Sequence, residues 1–128
     1  DIVVSVHHNA MPAALSGKVQ GILSLFHDHS IEEEGFMSMP YHPESKITEG
    51  KRLAQLLQRE MVKMTGGRDQ GARPQNLHVT RKTDMPAVLV ELGFMDNAEE
   101  FQKLYQAAYQ DKLIKGLVQG IQAYFGKA

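Results

Sequence analysis

Apolar residues follow two different periods along the chain, and the change of period separates predicted strands from predicted helices. Continuous apolar, β-branched runs predict short strands at residues 2–6, 22–26 and 87–92. The first run has no polar alternation, so we expect that strand to be buried on both faces. From Ser45 onward the apolar residues recur every three or four positions up to Met64. That spacing predicts an amphipathic helix, and Gly66-Gly67 is a typical helix end.

The remaining segments complete an alternating pattern. Residues 27–44 predict a long loop, residues 66–75 a polar, glycine-rich turn, and residues 77–80 a short strand. Residues 96–99 resemble a capping box that opens a helix to about Ala108. A last helix has a broad apolar face between Leu113 and Phe125. Strands that alternate with amphipathic helices predict an α/β fold with a mostly parallel sheet.

Composition narrows the class of protein. The 128 residues suffice for a single domain, and 14 basic against 15 acidic residues give a net charge of −1, which argues against binding to nucleic acid. No apolar run is long enough to span a membrane, and the absence of cysteine excludes disulfides and cysteine zinc ligands. The chain starts at Asp1 directly in a strand pattern, so we expect it to be part of a longer polypeptide.

His7 follows the first predicted strand, at the sheet end where α/β proteins place their sites. A neutral imidazole there could bind zinc if other ligands converge on it, or could simply hydrogen-bond the neighbouring backbone. His8 points to the other side of an extended chain. Asn9 could fix the orientation of the His7 ring or cap the turn that follows.

Glu91 lies within the most apolar predicted strand. Burying a carboxylate is costly and raises its pKa, which suits a general base near neutral pH. The alternative is a solvated glutamate where the strand ends. His27 and His29 share a face in an extended chain and could hold a metal, although such a pair on a polar loop is more often solvated. His42 and His78 are weaker candidates.

Two segments together are similar to the zinc-dependent N-acetylmuramoyl-L-alanine amidases of the type 3 class. They are SVHHNA at residues 5–10 and DMPAVLVELGFM at residues 84–95. The sequences KRLA at residues 51–54, NLHVTRKT at residues 76–83 and GIQAYF at residues 120–125 also resemble this family. The resemblance covers nearly the whole chain.

The resemblance implies a single α/β domain with a central twisted sheet flanked by helices. It implies that His7 is the last of three zinc ligands and that Glu91 is the catalytic glutamate. Asn9 and Asn76 lie in matched segments, and we expect them to contact the substrate. The other two zinc ligands of the family lie upstream of the first motif. Residues 1–128 would therefore be a catalytic domain without its N-terminal strand, turn and helix.

The implied reaction is zinc-dependent hydrolysis of the amide between N-acetylmuramic acid and L-alanine in peptidoglycan, outside the cell or in its envelope. Such an enzyme could be a host autolysin, a spore enzyme or a phage endolysin. A second hypothesis is an inactive domain of the same fold that binds peptidoglycan or regulates another hydrolase. A third is an unrelated α/β zinc peptidase. The sequence does not determine the oligomeric state.

Overall fold

A computed structural model describes residues 1–31 and 43–127 of the chain. For Ile31 it describes the backbone alone. The predicted loop at residues 27–44, including His42, lies mostly outside these ranges. The described part forms four strands and four helices. Their bounds are β1 (Val3–Asn9), β2 (Ile22–Phe26), α1 (Glu44–Thr65), β3 (Asp69–Pro74), α2 (His78–Arg81), β4 (Ala87–Phe94), α3 (Ala98–Leu104) and α4 (Ala107–Tyr124).

The strands form one sheet in the order β1-β4-β2-β3. β1 runs parallel to β4, and β2 runs parallel to β3. The two pairs are joined by an antiparallel pairing of β2 with β4. The prediction of an α/β fold with a mostly parallel sheet is therefore confirmed. The carboxyl ends of β1 and β4 share one end of the sheet, and those of β2 and β3 share the other.

The main core lies between one face of the sheet and helices α1 and α4. Its buried side chains come from both strands and helices: Ile22, Phe26, Leu53, Ala54, Leu57, Met61, Val88, Val90, Leu104, Tyr109 and Leu113. The opposite face carries a smaller cluster, Leu23, Leu25 and Leu89, on which Leu77 and Val79 pack. The sheet thus has one helix-covered face and one face that is covered only in part by the described residues.

Two glycines allow α4 to lie directly against α1. A Cβ atom at Gly116 would lie 2.6 Å from the Cα of Met61, and one at Gly120 would lie 2.9 Å from the Cα of Leu57. Both distances are to backbone, which cannot move aside as a flexible side chain can. The helix–helix distance is therefore set by the absence of side chains at these positions.

The structure confirms some predicted elements and corrects others. α1 ends as expected, with Gly66 in the left-handed conformation at φ +68°. Residues 66–75 are not only a turn, because they contain β3, whose backbone pairs with β2. Residues 77–80 were predicted as a strand, but they belong to the short helix α2. The helix predicted to reach Ala108 instead ends at Leu104, and α4 begins at Ala107.

The prediction that the first strand is buried on both faces is wrong. β1 is an edge strand whose Val6 is 49% exposed, and its residues from Val6 to His8 are all exposed. Only part of the predicted apolar face of the last helix is buried. Leu113 is buried, whereas Ile114 is 56% and Val118 46% exposed. Val6 and Ile114 line the same surface groove, so this exposed apolar area is continuous across strand and helix.

The connection between β1 and β2 is tied to the start of α3, and it crosses the end of β4. The carboxylate of Asp96 accepts hydrogen bonds from the backbone N–H groups of Met11 and Gly17, at 3.2 and 3.0 Å. The Glu100 carboxylate is buried and accepts from the backbone N–H of Gly21 at 2.9 Å. α3 is capped by Asn97, one residue later than the predicted capping box at residues 96–99 implies, and its side chain accepts from the backbone N–H of Glu100. This network fixes the connection at the sheet end that holds His7.

We expect Gly116→Ala to destabilise the protein by about 1–3 kcal/mol, because the added methyl group forces α4 away from the backbone of α1. Gly50→Ala is the matched control. A Cβ there meets nothing nearer than the Ala87 carbonyl oxygen at 3.8 Å, an ordinary contact. Since alanine favours a helix interior, this control should be neutral or stabilising by up to about 1 kcal/mol. Urea unfolding measures both, and equal effects of the two substitutions would contradict the packing argument.

Burial raises the pKa of Glu100, and the hydrogen bond from Gly21 only partly opposes that effect. The folded state therefore keeps a proton that the unfolded state loses, and stability is lost as the pH rises through the raised pKa. Glu100→Gln removes this titration while its amide oxygen can still accept from Gly21. Urea unfolding at about pH 4 and about pH 7 should show the wild type losing stability relative to this variant.

The control for that experiment is Glu99→Gln, the same change at the exposed neighbouring position. It should keep the pH dependence of the wild type. If Glu100→Gln also ran parallel to the wild type across this pH range, burial of the Glu100 carboxyl would not be the cause.

Candidate active site

His7 and Glu91 are brought side by side by the parallel pairing of β1 with β4. They are directly paired in the register, and paired residues on neighbouring strands point to the same face of a sheet. On the other side, Glu91 is paired with the buried Leu23 of β2. Glu91 is therefore held between an imidazole and an apolar side chain. This face is the one opposite α1 and α4.

The environment of Glu91 favours the protonated form of its carboxyl group. Burial raises its pKa, and the nearby His7 partly offsets this effect. Its Oε2 atom is buried and has no hydrogen-bond partner among the described residues. An unpartnered buried oxygen costs free energy, so it indicates an interaction with a group outside the described protein atoms. The alternative of a solvated glutamate at a strand end does not fit this burial.

His7 itself is exposed, and its Nε2 atom lies 2.9 Å from the hydroxyl oxygen of Ser5. Ser5 is two residues earlier on the same face of β1, so the hydroxyl orients the ring. The sequence prediction had considered Asn9 for that role. The spacing of two between Ser5 and His7, which places both side chains on one face of a strand, is the sequence signal that indicates this contact. With Nε2 engaged, Nδ1 is the ring nitrogen that could bind a metal.

Asn9 makes a local turn contact instead. Its side-chain oxygen accepts a hydrogen bond from the backbone N–H of Ala10 at 2.8 Å, and its backbone carbonyl accepts from Met95. The register between β1 and β4 shifts between His7 and Asn9. Asn9 therefore stands at the end of the strand, beyond the paired His7 and Glu91, in the capping role that the sequence left as an alternative.

Asn76 lies toward the other end of the sheet. The residue before it, Gln75, donates its backbone N–H to the carbonyl of Phe26, three residues along β2 from the Leu23 that faces Glu91. That separation is about 10 Å along the strand. The next residue, Leu77, packs on the same sheet face as Glu91. The Oδ1 atom of Asn76 is buried without a hydrogen-bond partner among the described residues.

Among the described residues, His27, His29 and His78 do not converge on His7. His27 is buried directly after β2, at the end of the sheet where β4 begins. His29 forms an exposed hydrogen bond with Glu44, with 2.7 Å between Nε2 and Oε1. His78 is exposed at the start of α2. Within residues 1–31 and 43–127, no three His, Cys, Asp or Glu side chains are grouped so as to hold a metal ion.

The donor set can be compared with what a catalytic zinc requires. Such a zinc takes three protein ligands and keeps one open position. An exposed imidazole beside a buried, unpartnered carboxylate oxygen is the chemistry expected around such a site. The described residues thus fit one ligand position at His7 and a base at Glu91, but they do not supply the whole set.

No helix within the described ranges is long and apolar enough to cross a bilayer.

The chain can be compared with known proteins on this basis. Residues 1–123 match the family model described as N-acetylmuramoyl-L-alanine amidase, Amidase_3. The Bacillus subtilis protein YqiI is 30% identical over 125 residues, which is 98% of this chain and 52% of YqiI. The N-acetylmuramoyl-L-alanine amidase LytC of B. subtilis is 34% identical over 85 residues, covering 66% of this chain and 17% of LytC.

Solved structures show the same architecture. An N-acetylmuramoyl-L-alanine amidase from Clostridium difficile 630 superposes with a TM-score of 0.79 at 31% identity, covering 98% of this chain and 58% of that one. The catalytic domain of CwlV, from Bacillus (Paenibacillus) polymyxa, gives 0.77 at 27% identity, covering 99% and 59%. The chain therefore spans little more than half the length of these proteins. Its sequence match and its fold together show that the chain belongs to the N-acetylmuramoyl-L-alanine amidase family.

Proposed function

We propose that this chain carries the catalytic base and one zinc ligand of an amidase that cleaves the bond between N-acetylmuramic acid and L-alanine in peptidoglycan. The observation that carries the proposal is the buried, unpartnered Oε2 of Glu91 on the same sheet face as the exposed His7. Membership of the amidase family indicates the reaction. The paired His7 and Glu91 would provide a metal ligand and a base for it. The site of action is the cell envelope or the space outside the cell.

Glu91 is the general base and then the general acid. Its carboxylate takes a proton from the attacking water and returns it to the leaving nitrogen of L-alanine, so the amine departs neutral. A pKa raised by burial suits both steps, because the group must hold and release a proton near neutral pH. The apolar neighbour Leu23 maintains the burial from one side.

His7 holds the metal in this proposal, with Ser5 orienting its ring. When bound, zinc supplies Lewis-acid polarisation of the scissile carbonyl and activation of water. The hydroxyl of Ser5 keeps the ring from rotating, as residues behind metal ligands commonly do. The pairing of β1 with β4 keeps the imidazole beside Glu91.

The two further ligands are proposed to come from a preceding strand, turn and helix. Support comes from the surface of the chain. β1 is an edge strand, and the exposed Val6, Ile114 and Val118 beside it form an apolar area of the kind a further strand and helix would cover. The matched solved structures also contain more polypeptide than this chain.

Asn9 and Asn76 are proposed to contact the substrate at different points. Asn9 stands next to the reacting groups at the carboxyl end of β1. Asn76, which precedes the Leu77 that packs on the Glu91 face and lies about 10 Å farther along the sheet, would meet a more distant part of the stem peptide or glycan. In a turnover assay, Asn76→Ala should therefore raise KM more than it lowers kcat.

A second candidate function is a domain of this fold that binds peptidoglycan without cleaving it. It is favoured by one observation: the described residues do not group three metal-ligating side chains. The two candidates differ in whether purified cell wall is turned over.

Replacing Glu91 by glutamine should lower kcat on purified peptidoglycan by about 10²- to 10⁴-fold, since the amide cannot take the proton from water. Release of stem peptides with a free L-alanine amino terminus measures the reaction. Cleavage between two amino acids would instead indicate a peptidase. The variant should keep the thermal stability of the wild type or exceed it, because it removes a buried ionisable group.

Asp111→Asn is the control for Glu91→Gln, a carboxylate-to-amide change at an exposed position of α4. It should retain full turnover. Equal turnover by the Glu91→Gln variant and the wild type would exclude Glu91 as the base. No turnover by the wild type in the presence of zinc would favour the non-cleaving domain.

Zinc titration by calorimetry should separate the contribution of His7 from that of the preceding segment. We expect the 128 residues alone to bind zinc weakly, and the chain extended by its preceding reading frame to bind about a hundredfold more tightly or better, since three ligands then converge. His7→Ala should abolish this gain, whereas His8→Ala, on the opposite face, should preserve it. Tight 1:1 binding by the 128 residues alone would contradict the proposed ligand set.

A further inference from the structure

The outer edge of the sheet at β3 carries a cluster of exposed cations. Arg68 immediately precedes β3 and Arg73 lies near its end, while Arg59 and Lys63 are one turn apart on α1. All four side chains are exposed. We call these four residues the basic edge. These four of the 14 basic residues lie together in a chain whose net charge is −1.

The basic edge borders an open groove between α1 and β3. The groove has a volume of about 350 Å³, and Arg59 and Lys63 line it from the helix. Gly71 of β3 lines the other side, and the space above its Cα is empty to at least 4 Å. Because β3 has one residue more than the segment of β2 with which it pairs, Arg68 and Arg73 lie about 13 Å apart along the sheet edge. An elongated ligand lying along β3 would therefore meet cations at both ends and on one side.

Two nearby carboxylates, Glu60 and Asp69, offset part of this charge, and four cations against two carboxylates leave the surface with a net positive charge. Glu60 is almost fully buried and accepts from Arg59 at 2.9 Å. Asp69 accepts from the side-chain nitrogen of Gln58 at 2.7 Å and from the backbone N–H of Gly71 at 2.8 Å. Arg59 keeps further guanidinium N–H groups beyond this contact, since arginine carries five donors.

The backbone of β3 is poorly suited to pairing with another strand. Gly71 has φ +85°, which interrupts the regular extended conformation, and its N–H is used by Asp69. Pro74 has no N–H group to offer. A partner at this edge is therefore recognised by charge, and an acidic peptide would gain little from adding a strand.

We propose that the basic edge binds a linear polymer of polyol units joined by phosphodiesters. Three of its four cations are arginines, whose planar guanidinium groups bind phosphate oxygens in pairs. Repeated phosphates along a chain match cations spread along β3 and α1. Such an anionic polymer at the cell envelope would hold the domain at its proposed place of action. This surface lies at the opposite sheet edge from β1, so binding there leaves His7 and Glu91 accessible.

Binding of the protein to fluorescently labelled poly(glycerol phosphate), followed by fluorescence anisotropy at several salt concentrations, tests this proposal without any activity measurement. We expect the logarithm of the association constant to fall linearly with that of the salt concentration, with a slope of about −3 for four cations on a flexible polyanion. The double variant Lys63→Glu, Arg68→Glu should bind about tenfold more weakly or worse at low salt.

The matched control is Lys112→Glu, Lys115→Glu, which makes the same change of net charge at exposed positions of α4. It should weaken binding about threefold or less, with thermal unfolding of both variants checked against the wild type. Equal weakening by both double variants would show attraction by net charge alone and overturn the proposal. So would absence of wild-type binding at low salt, or equally tight binding of poly-L-glutamate. Each outcome is independent of whether the protein cleaves peptidoglycan.

Discussion

The burial of Val88 and Val90 is the constraint on which the site depends. Both side chains are fully buried against α1 and its neighbours, so the pleat of β4 has only one possible orientation. Since side chains alternate along a strand, Glu91 must then lie on the opposite face. A register slip of one residue would place its carboxylate among the core side chains and expose the valines. The hydrophobic core thus determines where the reactive carboxylate points.

Much of this arrangement could be predicted from the sequence, because the signals were strong and local. The apolar run of β4, the three-and-four spacing of α1, and the glycine pair after it are patterns that the core and the helix end require. The same patterns placed His7 and Glu91 toward the carboxyl ends of two strands, although β1 and β4 both extend beyond these residues. Their direct pairing did not, because it depends on which strands are neighbours, and short apolar runs do not encode strand order.

The errors have physical reasons in tertiary contacts. β3 is a polar strand with a glycine in its middle, and it is ordered by pairing with β2 rather than by its own propensity. α2 contains the β-branched Val79 and Thr80, which favour strands. It is held as a helical turn partly by the ammonium group of Lys46, which donates to the backbone carbonyls of Thr80 and Thr83. Long-range contacts of this kind produce no periodic pattern of apolar residues in the sequence.

The antiparallel junction between β2 and β4 also separates the functional residues in a way that a wholly parallel sheet would not. In a parallel sheet, His7, Glu91 and Asn76 would share one end. Here Asn76 follows β3, which runs the other way and lies two strands from β4, so any groove joining the three residues runs diagonally across the sheet. An elongated substrate such as a peptide attached to a glycan suits that direction.

The two edges of the sheet differ in how they could meet other protein molecules. β3 carries one arginine, a glycine at a bulge and a terminal proline, and such residues commonly prevent a further strand from pairing with an edge. β1 has the sequence VVSVHHN, with no lysine, arginine or proline, and it is exposed toward its carboxyl end. Because only the β1 edge has a backbone that another strand could pair with, the sheet can be extended at that edge alone. Self-association of this chain, wherever its β1 edge is left open, would therefore join two molecules through their β1 strands and stop at the dimer.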